Sequence, residues 1–288
     1  MQLKADFVAD WTAELKRIME QDWSMDLRRT PDKDICVLFH HAGKRRIEPR
    51  PRQVVLANTF ECPQELNPGW TVLRNKIEAG ADLSPHLSLQ IEKVMATDRL
   101  LLDWGVYHLH LGLAGHHKNT NFVERTGPVV FGYPTQDTFH AIGVYAHGAW
   151  SDSSVIETLH ANWPELTGSA KIRGEFTLAQ QYTDDDRKKL RASGINVITA
   201  LSDGTFLFPL GGGYAGNGVS IEGVTASDRE RKKIESLERK LLELAPVIEE
   251  ALTESGYVVA SEVTARLNFT RDRTWVSFDG YPAQLDVT

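Results

Sequence analysis

Cysteine is scarce in this chain: Cys36 and Cys62 are the only two in 288 residues. They show neither close metal-ligand spacing nor a disulfide framework, which excludes a disulfide-stapled scaffold and suits a reducing cytoplasm. Long apolar runs are missing as well. No stretch approaches the roughly 20 residues that a membrane-crossing helix needs, and the segment after Met1, Gln-Leu-Lys-Ala-Asp-Phe, has no apolar core of a secretory signal. No Gly-x-x-x-x-Gly-Lys-Ser/Thr string, no Gly-x-Gly-x-x-Gly opening a helix and no His-Glu-x-x-His is present, so three stringent nucleotide and zinc motifs are absent. Basic excess is lacking too. The formal net charge of −7 argues against nucleic-acid binding through the whole surface and leaves room only for a local basic patch. The chain has no internal repeat and no low-complexity tail.

What is present is an ordinary globular composition, 41% hydrophobic and 25% charged, long enough to bury a sizeable core and to favour two domains. Residues 4–22 place Phe7, Val8, Trp11, Leu15 and Ile18 at helical spacing. Residues 35–40 and 53–60 read as strands, separated by the basic stretch 44–52, whose two prolines oppose a regular helix. A short helix is expected over 69–79, and a longer one over 84–101 with Ser84 as cap and Pro85 at its first position. Strands then follow at 106–113, 128–133 and 138–146, the last two joined by the turn string Pro134-Thr-Gln-Asp137 into a hairpin. A helix opening at Ser151 or Asp152 must end near Trp163-Pro164.

The second half predicts a Thr183-capped helix to Ser193, a hairpin of 196–201 with 205–209, a glycine loop at 211–218 and a long amphipathic helix over 227–254. It closes with strands at 257–269 and 274–278. The helix carries Ile234, Leu237, Leu241, Leu244, Ile248 and Leu252 on one face, with Pro246 as a kink point. The expected fold class is α+β: an antiparallel sheet with flanking helices over 1–165, and a second α+β half over 166–288. The boundary is expected within 164–182.

The candidate chemistry centres on histidine. In Tyr107-His-Leu-His-Leu-Gly112, alternation along a strand puts His108 and His110 on one side. His147 ends another apolar run, beside Gly148, where strand ends place side chains on rims. The plain alternative is that both strand histidines sit on a solvated face with Leu109 and Leu111 buried. Arg125 could hold a phosphate through its forked donors, or make a surface ion pair. Tyr107 and Trp150 could stack on a base, or pack in the core or rim. Asp103 and Asp152 could orient a histidine. Lys44, Arg45 and Arg46 could contact phosphates from a mobile loop, or be merely solvated. His116 and His117 read as solvated, His140 as a core histidine, and the glycine loop as a lid or a connector.

Two chemistries fit one histidine set. Imidazoles beside a cation suit RNA cleavage without metal: a neutral histidine takes the 2′-hydroxyl proton, a protonated one serves the leaving 5′-oxygen, and arginine neutralises charge on phosphorus. The same His108, His110 and His147 could instead hold a divalent metal such as zinc with an open water position. A third possibility is a non-catalytic module that docks a protein partner through helix 227–254.

The layout of 84–165 resembles the RelE-like superfamily of toxin ribonucleases, in which helices precede a short antiparallel sheet. Tyr107-His-Leu-His-Leu-Gly112, Arg125, the hairpin at 129–146 and His147 fall in similar places. Here histidines stand where such toxins often carry arginine or lysine. The resemblance implies a cytoplasmic endoribonuclease, a toxin or phage-defence effector, acting on RNA without a cofactor.

Overall fold

The computed structural model describes residues 1–174, 177, 178, 180, 182–270 and 273–287. In chain order the strands are β1 (Gln2–Ala5), β2 (Gln53–Leu56), β3 (Tyr107–His110), β4 (Pro128–Pro134), β5 (Thr138–Ala146), β6 (Thr199–Ala200), β7 (Phe206–Leu207), β8 (Glu262–Phe269), β9 (Thr274–Phe278) and β10 (Tyr281–Asp286). The helices are α1 (Phe7–Arg17), α2 (Asp32–Gly43), α3 (Asn67–Ala79), α4 (Arg99–Trp104), α5 (Ser154–Asn162), α6 (Pro164–Thr167), α7 (Asp184–Ala192), α8 (Ile221–Glu243) and α9 (Ala245–Glu254). The fold is α+β. Among the described residues no helix is long and apolar enough to cross a membrane.

The chain divides into two compact units, Met1–His40 with Val224–Thr288, and His41–Gly223. These differ from the expected halves 1–165 and 166–288. The expected boundary at 164–182 falls inside the second unit, and its positions 175, 176, 179 and 181 lie outside the described residues. The cause is a pairing that no local pattern reveals: β1 runs parallel to β8, with Leu3 opposite Val263 and Ala5 opposite Ala265. The first residues of the chain thus join a sheet built by the last.

In the first unit the sheet order is β1-β8-β9-β10. Helix α1 buries Phe7, Trp11 and Leu15, its start capped by the Asp6 side chain accepting from the Ala9 amide. A π-helical turn, Ile18–Asp22, extends it. Residues 35–40, expected as a strand, lie in helix α2, because a short apolar run reads equally as strand or buried helix. Asp32 and Asp34 in its first turn complement the helix dipole and decide for helix. The long helix expected over 227–254 is two, α8 and α9, divided where Pro246 cannot continue the hydrogen-bond ladder. Ile234, Leu241 and Leu252 are buried, whereas Leu244 is exposed.

In the second unit the sheet order is β2-β5-β4-β3, with β5-β4-β3 antiparallel and β2 parallel to β5. The expected hairpin is β4 with β5, closed by Thr135 and Thr138. Both faces are packed. Leu109, Val130, Phe139 and Ala141 face a core shared with Trp70, Leu73 and Ile77 of α3. Val129, Phe131 and Ile142 face a second core with Val155, Ile156 and Leu159 of α5. The helix expected over 84–101 is replaced by 3-10 turns at Ser84–His86 and Leu89–Glu92, then α4. Asp98, not Ser84, is the residue that caps a helix here, accepting from the Leu101 amide at 3.0 Å. Strands 196–201 and 205–209 shrink to β6 and β7.

Helix α3 approaches the end of β3 so closely that a Cβ on Gly69 would lie 1.9 Å from the Leu111 carbonyl oxygen. Glycine to alanine within a helix ordinarily gains up to about 1 kcal/mol. Gly69→Ala is expected to do the opposite and destabilise by about 1–3 kcal/mol through overpacking against backbone, a sign that urea unfolding reads directly.

Candidate active site

Strand alternation builds the site. His108 lies opposite Phe131 and His110 opposite Val129, so both project on the face of the second core while Leu109 faces the first. That face is not the solvated one that the plain alternative required: His110 is 2% exposed, and the His108 side chain 11%. Strand β5 ends at Ala146, and the His147 amide donates to the Gly127 carbonyl at 2.8 Å. Gly148 takes a left-handed φ of 107°, which turns the chain, and Ala149 N–H donates back to the Ala146 carbonyl at 3.1 Å. This returns Trp150 onto the histidines. Its ring lies 4.5 Å from His108, 5.0 Å from His147 and 5.5 Å from Phe131, centroid to centroid. His110 is 5.6 Å from His147 and 6.3 Å from His108. The three expected histidines therefore do meet, around an indole.

They are not equivalent. A cavity of about 460 Å³ is lined by Asp98, His108, His147, Trp150, Lys188 and Arg191, among others, but not by His110. Burial, with help from Arg125 and the other two imidazoles, pushes His110 down to about 3, so it is neutral at ordinary pH. Its Nδ1 is buried without a partner, and its carbonyl accepts a hydrogen bond from His86 Nδ1 at 2.8 Å. His108 keeps its place in the cavity wall. Its Nδ1 is 3.3 Å from Asp98 Oδ2, an electrostatic contact rather than an aligned hydrogen bond. Burial lowers the His108 pKa, and the Asp98 carboxylate opposes that shift. His147 is exposed at the rim.

Asp98 is the carboxylate beside His108, whereas Asp103 and Asp152 are engaged elsewhere. Asp103 is buried between Arg187 Nη1 at 3.0 Å and Arg191 Nε at 2.7 Å. Asp152 accepts from the Ser154 amide at the start of α5. The Asp98 signal was present in Thr97-Asp98-Arg99 before Leu-Leu-Leu-Asp-Trp, an acidic cap ahead of an apolar turn. Lys188 and Arg191 gave no motif. They reach the cavity from α7, which is distant in sequence.

Most of the expected binding cations are occupied elsewhere. Arg125 donates to the carbonyls of Leu87, Pro85 and Val123. Arg45 donates to those of Gln90, Lys93 and Val94, and Arg46 to that of Ile91. Lys44 is paired with Glu222. Arg45 and Arg46 of this segment thereby satisfy carbonyls of residues 90–94. Tyr107 donates its hydroxyl to the Lys44 carbonyl at 2.6 Å, which makes it a tie rather than a stacking platform. The glycine loop is a packed connector: Gly211 and Gly213 amides donate to the carbonyls of Asp103 and Leu102. His140 is a core histidine, donating from Nδ1 to the Tyr133 carbonyl at 3.1 Å. His116, expected as solvated, is buried and accepts from the Lys118 and Asn119 amides.

Comparison with protein-family models, with curated proteins and with solved structures gives no match. Among the described residues no group of three or more His, Cys, Asp or Glu side chains is placed to hold a metal ion.

Two outcomes follow from these surroundings. Asn caps a helix as well as Asp, so Asp98→Asn keeps α4 while removing the charge that favours imidazolium; the His108 pKa, read by NMR titration, is expected to fall further. Burial holds His41 and His86 down to about 4 and His110 to about 3. Each contributes stability that is complete above the unfolded value near 6.5 and is lost as pH falls through the folded value. Unfolding free energy is expected to decline from about pH 6.5 to below pH 4, with the decline reduced in His86→Gln if that variant folds.

Proposed function

We propose that the cleft bordered by His108 and His147 is the active site of an endoribonuclease that needs no metal and uses the 2′-hydroxyl of its own substrate. The observation that carries this reading is the Asp98–His108 contact of 3.3 Å in a cavity that His147 and Trp150 also line. The Asp98 carboxylate favours the tautomer with its proton on Nδ1, which leaves Nε2 as a base. His108 Nδ1, 3.3 Å from Asp98 Oδ2, makes no aligned hydrogen bond among the described residues, and the His108 ring borders the cavity. The lowered His108 pKa keeps Nε2 unprotonated near neutral pH.

In the proposed step His108 Nε2 takes the proton of the 2′-hydroxyl. The 2′-oxygen bonds to phosphorus while the bond to the 5′-oxygen breaks. His147, in its imidazolium form, gives that oxygen a proton. The products are a 2′,3′-cyclic phosphate and a 5′-hydroxyl, and a second exchange of protons through solvent resets the two imidazoles. Trp150, half-buried against His108 and Phe131, is a platform on which a base can stack. The arrangement selects RNA over DNA because only RNA carries the attacking group. It accords with the activity expected from the RelE-like layout of 84–165 and suits a toxin or phage-defence effector.

Purified protein is expected to cleave RNA equally with and without chelator and to leave 2′,3′-cyclic phosphate ends. His108→Ala and His147→Ala should each slow cleavage by roughly 10²–10⁴-fold with folding intact. Because His108 must be neutral and its pKa is depressed, the acid limb of the rate profile should lie below the ordinary imidazole value near 6.5. Cleavage that survives both substitutions, or that chelator abolishes, would sink the proposal.

A further inference from the structure

The residue expected to hold phosphate, Arg125, has its donors committed to three backbone carbonyls, so the cleft needs another source of positive charge. The cavity wall supplies one. Arg99, Lys188 and Arg191 line it against the single carboxylate of Asp98, beside an Arg45 whose terminal nitrogens are held by backbone carbonyls. Arg191 is the telling member. It is 2% exposed, lies 4.1 Å over the Trp104 ring, and binds Asp103 Oδ2 through Nε and the Trp150 carbonyl through Nη1. Its Nη2 is buried and has no partner. Asp103 is shared with Arg187, which is also buried, so one carboxylate answers two guanidinium groups. A buried cation left without full compensation is costly, and Arg191 borders a cavity with room for an anion. Lys188 is exposed one turn before Arg191 on α7 and makes no hydrogen bond or ion pair with the described residues. Arg99 anchors on the Arg191 carbonyl through Nε at 3.0 Å, which holds its guanidinium beside α7.

We propose that Lys188 and Arg191, with Arg99, form a phosphate-binding wall of this cleft, and that a phosphodiester of the substrate strand is the anion they take. The inference rests on the proposed acid–base cleft for its substrate, but its ligand chemistry follows from the charge of the wall. Arg191 links the two parts. Its hydrogen bond to the Trp150 carbonyl puts the phosphate wall and the stacking indole on the same guanidinium. A strand lying here would place a phosphate on α7 and a base on Trp150, with His108 and His147 alongside.

The test uses the full chain and two probes that cannot be cleaved by the proposed route. These are inorganic phosphate and a short 2′-O-methyl oligoribonucleotide, which lacks the attacking hydroxyl. Binding is followed by calorimetry across a salt series. The wild-type chain is expected to bind both, the oligonucleotide more tightly. Lys188→Ala should weaken oligonucleotide binding by roughly tenfold and lower the salt slope by about one. Lys188→Glu should weaken it more, and Lys118→Ala, in a loop outside the cavity, should change nothing. Position 188 is exposed, so both variants are expected to melt like wild type. Arg191→Lys, if folded, should also weaken binding, because an ammonium cannot hold Asp103, Trp150 and an anion together. Unchanged binding in both Lys188 variants, or no binding of either probe by the wild type, would overturn the inference. Probe binding that depends on Lys188 without cleavage of ordinary RNA would uphold the wall and reject the ribonuclease. Cleavage with an unaltered KM in Lys188→Glu would do the reverse.

Discussion

Both faces of the sheet β2-β5-β4-β3 are packed, and that constraint governs everything around the histidines. A strand with one solvated side can place polar residues there at no cost. Strand β3 has no such side, so His108 and His110 are drawn into a core that also holds Phe131 and Trp150. Desolvation is the largest influence on both imidazoles and favours their neutral forms. The difference between them is access. His108 borders a cavity and faces a carboxylate, whereas His110 does not line that cavity. Position along one short strand therefore separates a candidate base from a buried spacer.

Arginine does unexpected work in the same unit. The segments flanking β3 contain little regular structure, so their carbonyls lack ladder partners. Arg45, Arg46 and Arg125 donate to those carbonyls from different parts of the chain, and Arg52 donates to the Thr135 carbonyl in the turn between β4 and β5. An unpaired buried carbonyl costs about 1–3 kcal/mol, so these side chains hold irregular loops in one conformation. Asp103 plays the complementary role, drawing Arg187 and Arg191 into the interior and fixing α7 against α4. The cleft inherits its charge from that arrangement: α7 is acidic in its first turn, and it delivers Lys188 and Arg191 to the cavity.

Much of the site was legible. Alternation put His108 and His110 together, and the end of the apolar run marked His147 as a rim residue. The hairpin of β4 with β5 and the Thr183 cap of α7 were equally plain, because turn strings and capping patterns act over a few residues. Asp98 is masked for a local reason: Ser84 and Pro85 offer a stronger helix start, and the chain turns into 3-10 segments before the true cap. Arg125 was misjudged for a long-range one. Nothing in Glu124-Arg-Thr-Gly127 tells that the carbonyls of Pro85 and Leu87 lie within its reach.

Periodicity, capping and turn chemistry are contained in neighbouring residues, so the sequence by itself determined the strands β3, β4 and β5 and which side of β3 its histidines share. It could not determine which carboxylate meets which imidazole, whether a basic residue is free or bound to backbone, or that β1 closes a sheet with β8. Those depend on contacts between residues from ten to more than two hundred positions apart. Such contacts exist only once burial has brought the elements together, and the tertiary structure alone decided them.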